Sequence, residues 1–238
     1  MTTDENDPLK LKAIEITKDI VRLTKRSEDT ATHLMEKLLS FGENIIEKTE
    51  LKGNISQNIQ CSKGCYYCCY AQVSVTPPEA ILIGDFLRDN YSLNQTDKLL
   101  KKIKNNIALT EGKSLEERII IWDKTPCIFL LNNECSIHSV RPFICRAWHS
   151  LSVEQCKTAF EIRDKEAEID SYPYRNYILG TIREGLSEAL KELGCSSESI
   201  EIAIAIKAVI SHPSAGGSWI NGEDIFPENQ KDKPKQEL

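Results

Sequence analysis

The sequence has 238 residues, of which 40% are hydrophobic and 28% are charged, and its formal net charge is −6 at pH 7. This length and composition are typical of one large globular domain, or two small ones, with a real hydrophobic core. The net negative charge disfavours a broad surface for nucleic acid or anionic membrane, because such a surface needs clustered Lys and Arg. We therefore expect neither a nucleic acid nor a membrane as a partner.

The cysteine count and the absence of long apolar runs predict the cellular compartment of the protein and the state of its thiols. Residues 1–10 are polar and acidic, and no stretch approaches the roughly 18 apolar residues of a membrane span. The longest candidate, residues 200–210, is interrupted by Glu201 and Lys207. These features predict a cytoplasmic protein, in which thiols stay reduced. Nine cysteines, an odd number, then favour a metal site over a disulfide framework.

The N-terminal part of the chain is predicted to be helical. Apolar residues recur at helical spacing over residues 8–50. A break near residues 27–29 divides this segment, and Ser27 is the candidate N-cap of the second helix. The polar residues 52–60 then form a linker into the first cysteines.

Helices are also predicted between the first cysteines and the later ones. Residues 71–76 form a short extended segment, after which Pro77 opens a helix that Thr76 can cap. Residues 94–123 form one or two further helices, with a break near residues 111–113.

Two more helices follow the last cysteine-rich stretch. The amphipathic pattern predicts a helix over residues 174–193 with Gly194 as its C-cap. Another helix covers about residues 198–211 and is ended by His212-Pro213. Because strand patterns are nearly absent, the sequence predicts a mostly α fold, with helices around an irregular, metal-stapled cysteine-rich centre and little β structure.

The chain divides into four predicted segments. Residues 1–58 form an N-terminal helical segment, and residues 59–160 form a cysteine-rich metal-binding domain. Residues 161–227 form a C-terminal helical segment. Residues 228–238 are polar and are predicted to be a disordered tail.

The first cysteine block has four thiols within nine residues, in the sequence Cys61-Ser-Lys-Gly-Cys65-Tyr-Tyr-Cys68-Cys69. On a continuous helix these four positions share one face, so several thiols can converge. In a loop, the two-residue gap between Cys65 and Cys68 allows both thiolates to bind one metal ion. Either arrangement predicts a metal site.

The second cysteine block supplies four more thiols: Cys127, Cys135, Cys145 and Cys156. Eight cysteines can form two four-ligand sites, or one site together with redox-active thiols, and their spacing leaves both open. Cys195 lies far from both blocks, and we interpret it as a free structural thiol.

Several basic and histidine residues accompany the thiols. Lys63, Arg141 and Arg146 are the cations whose sequence positions would offset the negative charge of bound thiolates. His138 and His149 are candidate substitute ligands, but with eight cysteines available we interpret them as neighbours of the ligands or as structural residues.

Together the two blocks resemble the CxxCxxCC cysteine-cluster family, described as a zinc- or iron-chelating domain. The resemblance covers about residues 59–160: the first block matches the family's first motif, although its first gap has three residues where the family label implies two. The second motif is similar to Cys127-Ile-Phe-Leu, then Cys135-Ser-Ile-His, then Arg141-Pro-Phe-Ile-Cys145-Arg. The resemblance implies chelation of zinc or iron.

Three functions remain open at this point. The first is a metal-binding protein whose zinc or iron–sulfur centre, such as [4Fe-4S], is structural or carries electrons or metal. The second is an iron–sulfur-dependent protein lysine methyltransferase that uses S-adenosylmethionine, because flagellin lysine N-methylases are similar to this family. The third is a zinc-stapled adaptor whose flanking helices bind a partner protein. The first block is also locally similar to the radical S-adenosylmethionine motif, but the repeated βα units of those enzymes are absent.

Overall fold

The computed structural model describes residues 4–163 and 167–226. This described part contains ten α-helices and four strands of two residues each, which confirms the mostly α fold. Among these residues, no helix is both long enough and apolar enough to cross a lipid bilayer. The predicted tail at residues 228–238 lies outside the described residues.

Two long helices begin the described chain, α1 over Pro8–Thr24 and α2 over Thr30–Gly53. The break between them falls where the sequence predicts it. Asp29, however, occupies the N-cap position of α2, so the prediction of Ser27 as the N-cap is wrong. The chain turns between the helices through Lys25 and Arg26, both of which have positive φ angles.

The next helices follow the predicted pattern closely. The predicted extended segment contains strand β1 over Ser74–Val75, and Thr76 is the N-cap of helix α3, as predicted. The bounds of the helices here are α3 Pro77–Asn90, α4 Leu93–Thr110 and α5 Leu115–Ile120. Gly112, with a φ of +71°, lies in the predicted break between α4 and α5.

The four strands of the described residues form two small antiparallel pairs. Strand β2 over Leu130–Leu131 pairs with β3 over Glu134–Cys135, and the two asparagines between them have φ angles of +52° and +63°. Two successive positive φ angles are the requirement of a tight hairpin turn, and Asn meets it well. Strand β4 over Ile200–Glu201 pairs with β1.

The C-terminal half contains five helices: α6 Phe143–Ala147, α7 Val153–Ile162, α8 Pro173–Glu192, α9 Ile202–Ser211 and α10 Ala215–Ile220. Helix α8 ends at Glu192 with Leu193 as its C-cap, so the prediction of Gly194 as the C-cap is wrong by one residue, although Gly194 follows with a φ of +74°. The helix predicted to start near residue 198 begins later, because β4 pairs with β1 instead of continuing the helix. The sequence analysis does not predict α10.

The core brings the N-terminal and C-terminal helices together. Helix α1 packs along α8, and α2, α3, α8 and α9 enclose the main apolar cluster. Its fully buried members include Leu34, Leu38, Ile81, Leu179 and Ile182. The helical core therefore supports the cysteine-rich stretch from one side, while the predicted segment boundaries stay a prediction.

Gly185 allows a close approach of α1 and α8. A Cβ atom at this position would lie 2.5 Å from the Lys10 carbonyl oxygen and 2.9 Å from the Ala13 Cβ. Backbone atoms cannot move aside as a flexible side chain can. Gly180, on the same helix, has no atom within 4 Å of the corresponding point.

We predict that Gly185→Ala lowers the free energy of unfolding by about 1–3 kcal/mol, because the added methyl group overpacks the α1–α8 contact. Gly180→Ala is the matched control and should raise it by about 0.5–1 kcal/mol, because alanine favours the helix. Urea denaturation of both variants tests this. A Gly185→Ala protein as stable as the wild type would contradict the packing described here.

Candidate metal centre

The first cysteine block lies in a turn followed by a short 3₁₀-helix. In the turn, the Cys65 N–H donates to the Ser62 carbonyl oxygen at 3.0 Å, and Gly64 has a φ of +89°. The 3₁₀-helix Tyr67–Tyr70 then carries Cys68 and Cys69. Of the two arrangements considered for this block, the loop is correct and the continuous helix is wrong.

The second cysteine block is distributed over several elements that meet the first. The Cys127 N–H donates to the Cys69 carbonyl oxygen at 2.7 Å, which joins the two blocks directly. Cys135 is in β3, Cys145 is in α6 and Cys156 is in α7. Because α7 packs against the 3₁₀-helix, Cys156 is brought back to the first block.

Three thiols, Cys61, Cys65 and Cys156, form what we call the first thiol set. Burial raises the pKa of Cys65, and the neighbouring Cys61, Cys68 and Cys156 raise it further. Burial likewise raises the pKa of Cys156, with Cys61 and Cys68 adding to the effect. The Ser150 N–H donates to the Cys61 sulfur at 3.2 Å and fixes the position of that side chain within the set.

The second thiol set consists of Cys127, Cys135 and Cys145. Burial raises the pKa of Cys127 to about 11, and the nearby Cys135 and Cys68 contribute. Burial also raises the pKa of Cys145, and Cys127, Cys68 and Cys135 are its closest electrostatic neighbours among the thiols. These cysteines are thus kept as neutral thiols when no metal is bound.

Cys68 connects the two sets. Its hydrogen bond with the Cys69 side chain and its burial raise its pKa, while the Arg141 charge lowers it. Cys68 also raises the pKa of thiols in both sets, so it lies near each of them, and we call the eight predicted cysteines the thiol cluster. Cys195 is separate: it is buried in the helical region, with its sulfur 3.6 Å from the Ile220 carbonyl oxygen.

All nine cysteines lie in the described residues and are free thiols. As the side chains are placed, no three His, Cys, Asp or Glu residues within 4–163 and 167–226 are arranged to hold a metal ion. Metal binding would require the thiols to lose their protons and to turn toward a shared ion. The chemistry of the donors fits zinc or iron, since thiolates are the preferred ligands of both structural zinc and iron–sulfur clusters. The assignment of the eight cysteines as ligands stays a prediction.

The two candidate histidines differ in their surroundings. His149 is buried, its Nδ1 donates to the Ala147 carbonyl oxygen at 3.0 Å, and its Nε2 accepts from the Tyr172 N–H at 2.9 Å. Both nitrogens are therefore used by the backbone, as in a structural histidine. Burial lowers the pKa of His138, and the charges of Arg141 and Arg146 lower it further.

Arg141 is the cation that the thiols share. It lowers the pKa of both Cys68 and Cys135, and its buried Nε has no hydrogen-bond partner among the described residues. Lys63 is exposed and pairs with Glu134 instead. Arg146 pairs with Glu43 and donates to the carbonyl oxygens of residues 139 and 141, so it braces the turn before α6.

Glu79 is a buried carboxylate that the sequence analysis does not identify. One oxygen accepts from the Phe143 N–H at 2.8 Å, at the start of α6, and the other accepts from the Thr76 N–H at 2.7 Å. Its side chain therefore ties the start of α3 to the helix that carries Cys145. A Glu at the third position of a helix is a known capping signal, but its contact with residue 143 cannot be read from the sequence.

A cavity of about 540 Å³ opens beside the cluster. Its wall includes five thiols: Cys61, Cys65, Cys68, Cys127 and Cys156. The rest of the wall is mostly apolar and, besides His149, includes five aromatic side chains: Tyr67, Tyr70, Trp122, Trp148 and Phe160. The sequence analysis does not predict this cavity, because its wall combines α4, α5, α7 and β4, which are far apart in the chain.

Comparison with known proteins agrees with the predicted resemblance. Residues 60–168 match the CxxCxxCC family model, whose description is "Putative zinc- or iron-chelating domain". The matched segment contains the eight cysteines of both blocks and excludes Cys195. It supports metal binding in general, without identifying the ligands or the metal. No curated protein and no solved structure matches the chain, and the similarity to flagellin lysine N-methylases stays a prediction.

We predict that Glu79→Gln lowers the free energy of unfolding by about 1–3 kcal/mol, because an amide nitrogen would face a backbone N–H that now donates to a carboxylate oxygen. Glu36→Gln, on the exposed face of α2, is the matched control and should change it little. Urea denaturation measures both. Equal stabilities of the two variants would show that the Glu79 contacts do not support the fold.

We predict that the reduced, metal-free protein loses stability as the pH rises from about 8.5 to 11. The folded state raises the pKa of Cys127 to about 11, whereas an unfolded thiol ionises near pH 8.5, so the unfolded state loses its proton first. One such thiol contributes a slope of about 1.4 kcal/mol per pH unit within this window. Urea denaturation at several pH values, in the presence of a chelator, measures the slope.

Cys127→Ala should flatten that slope, because the variant lacks the thiol that stays protonated in the folded state. Tyrosines and lysines titrate in the same window in both proteins, so only the difference between the two curves is informative. Identical curves would contradict the burial of the Cys127 thiol.

Proposed function

We propose that the protein binds zinc or an iron–sulfur cluster through the cysteines of its two thiol sets and Cys68 and Cys69. The observation that carries the proposal is that five free thiols from both blocks, Cys61, Cys65, Cys68, Cys127 and Cys156, line one cavity. Reduced thiols at this density are the donors that zinc and iron–sulfur clusters prefer. The match of residues 60–168 to a zinc- or iron-chelating family supports the same chemistry.

The electrostatics of the centre also support a bound cation. Burial raises the pKa of several of these thiols, so eight thiolates would not persist there without a strong positive charge. Arg141 supplies one such charge beside Cys68 and Cys135. A metal ion would supply the rest and would fix the ionised form of its ligands.

When bound, the metal would hold together the least regular part of the fold. The loop of the first block, the β2–β3 hairpin and the short helix α6 contain few helical hydrogen bonds of their own. Cysteines from these elements would attach each of them to one centre. Much of the local stability would then come from metal binding.

A second candidate function is an iron–sulfur-dependent protein lysine methyltransferase that uses S-adenosylmethionine. One observation favours it: Cys61, Cys65, Cys68 and Cys156 face a cavity large enough for a small molecule. A purely structural centre is usually closed, whereas a catalytic centre keeps an open side for its substrate. No observation in the described part of the chain favours the adaptor function over these two.

The proposal is tested by anaerobic purification with metal and acid-labile sulfide analysis and a visible absorption spectrum. We predict stoichiometric zinc, or iron with sulfide, in the wild type. Cys65→Ser and Cys145→Ser, one from each thiol set, should each lose metal and stability, because each removes a ligand. Cys195→Ser is the matched control and should keep the full metal content, since its thiol lies outside the cluster.

A zinc site and an iron–sulfur cluster would give different results in these measurements. Colourless protein with zinc would make the centre structural and would direct the search toward partner proteins. Brown protein with iron and sulfide would favour the cluster, and calorimetric titration with S-adenosylmethionine would then test the methyltransferase. Full metal retention in both Cys65→Ser and Cys145→Ser would refute the ligand assignment.

A further inference from the structure

The cavity beside the thiols has the size of a small-molecule site. Its volume of about 540 Å³ lies within the range of pockets that hold small organic ligands. Helix α7 forms part of its wall through Ala159 and Phe160. Helix α5 contributes Leu115, whose side chain is 51% exposed, so the cavity opens to solvent beside this residue. This volume suits a small molecule or a single side chain.

One wall of the cavity is an aromatic cluster centred on Phe160. The Phe160 and Trp122 rings are stacked, with centroids 5.6 Å apart and an angle of 12° between their planes. Tyr70 and Tyr67 contact the same ring, with centroids at 4.7 Å and 5.9 Å. Aromatic groups arranged in this way attract a further planar ring, either stacked on a face or set against an edge.

The charges around the cavity cancel. Among the described residues of its wall, the residues charged at neutral pH are Arg118 and Glu201, which form an ion pair of 2.7 Å with each other. Both side chains are largely buried, so neither is free to attract an ion from solution. His149 also lines the cavity, and burial lowers its pKa, which keeps it neutral. The occupant is therefore expected to carry no strong net charge in the part that enters the aromatic region.

We propose that this cavity binds a planar aromatic or heteroaromatic small molecule, with its ring against the Phe160 cluster and its edge toward the thiols. The inference rests on the proposed function only in one respect, because a metal held by Cys61, Cys65 and Cys156 would form part of the wall. The aromatic wall does not depend on the metal. The ring system of S-adenosylmethionine is one member of this ligand class, and other members bind by the same contacts.

The test uses the full-length protein, purified anaerobically with its metal content measured, and two neutral probes of similar size. Indole is planar and aromatic, whereas cyclohexylmethanol is neither. We expect saturation-transfer NMR to show indole binding that is at least several times tighter than that of cyclohexylmethanol. Indole should also lose affinity about threefold to tenfold in Phe160→Leu, because the variant lacks the central ring of the wall.

Two further variants locate the site. Phe86→Leu makes the same chemical change on α3, outside the cavity wall, and should bind indole like the wild type. Ala159→Phe, which places a ring inside the cavity, should abolish indole binding while the metal content stays unchanged. Thermal unfolding of each variant verifies that it is folded.

Equal binding of the two probes, or indole binding that survives in both Phe160→Leu and Ala159→Phe, would overturn the inference. Metal analysis of the same samples separates this result from a failure of the proposed function. Protein that holds metal but does not bind indole refutes only the aromatic site. Protein that binds indole in the cavity without holding metal refutes only the metal centre.

Discussion

The buried carboxylate of Glu79 connects the regular part of this protein to its irregular part. Through one oxygen it accepts from the start of α6, and through the other it caps α3, whose apolar face belongs to the helical core. Cys145 therefore has a position set by the core and not by its own short helix. The hydrogen bond from Cys127 to the Cys69 carbonyl oxygen then links the second block to the first. Together these contacts hold the segments that carry the thiols next to one another.

Grouping the thiols, in contrast to these contacts, makes their ionisation costly in free energy. Burial and the neighbouring thiols raise the pKa values of six of them, and the charge of Arg141 offsets only part of that cost. Without a metal, the protein avoids the cost of ionising grouped, buried thiols by keeping them protonated. With a metal bound, the thiols would be ionised, because the metal charge compensates the thiolates. The same cluster is thus compatible with two charge states, and binding of a metal would decide between them.

Local signals in the sequence predicted the helices well, because capping and turn residues act over a few positions. Pro77 and Thr76 begin α3, Gly112 separates α4 from α5, and Gly194 follows α8. Long-range contacts could not be predicted in this way. The start of α9 moved because β4 pairs with β1, far away in the chain. For the same reason the spacing of the cysteines identified the eight thiols but not their division into two sets around Cys68.

The two sets differ in their surroundings, and a metal bound by one would differ in role from a metal bound by the other. The first thiol set faces a cavity with an aromatic wall, whereas Cys135 and Cys145 of the second set lie outside that wall, beside the hairpin and Glu79. A metal held by the second set would be enclosed by protein and would serve the fold. A metal held by the first set would have a small molecule as its neighbour on the open side, and its chemistry would depend on that molecule. Because Cys68 lies near thiols of both sets, it would be available as a ligand to a metal in either one.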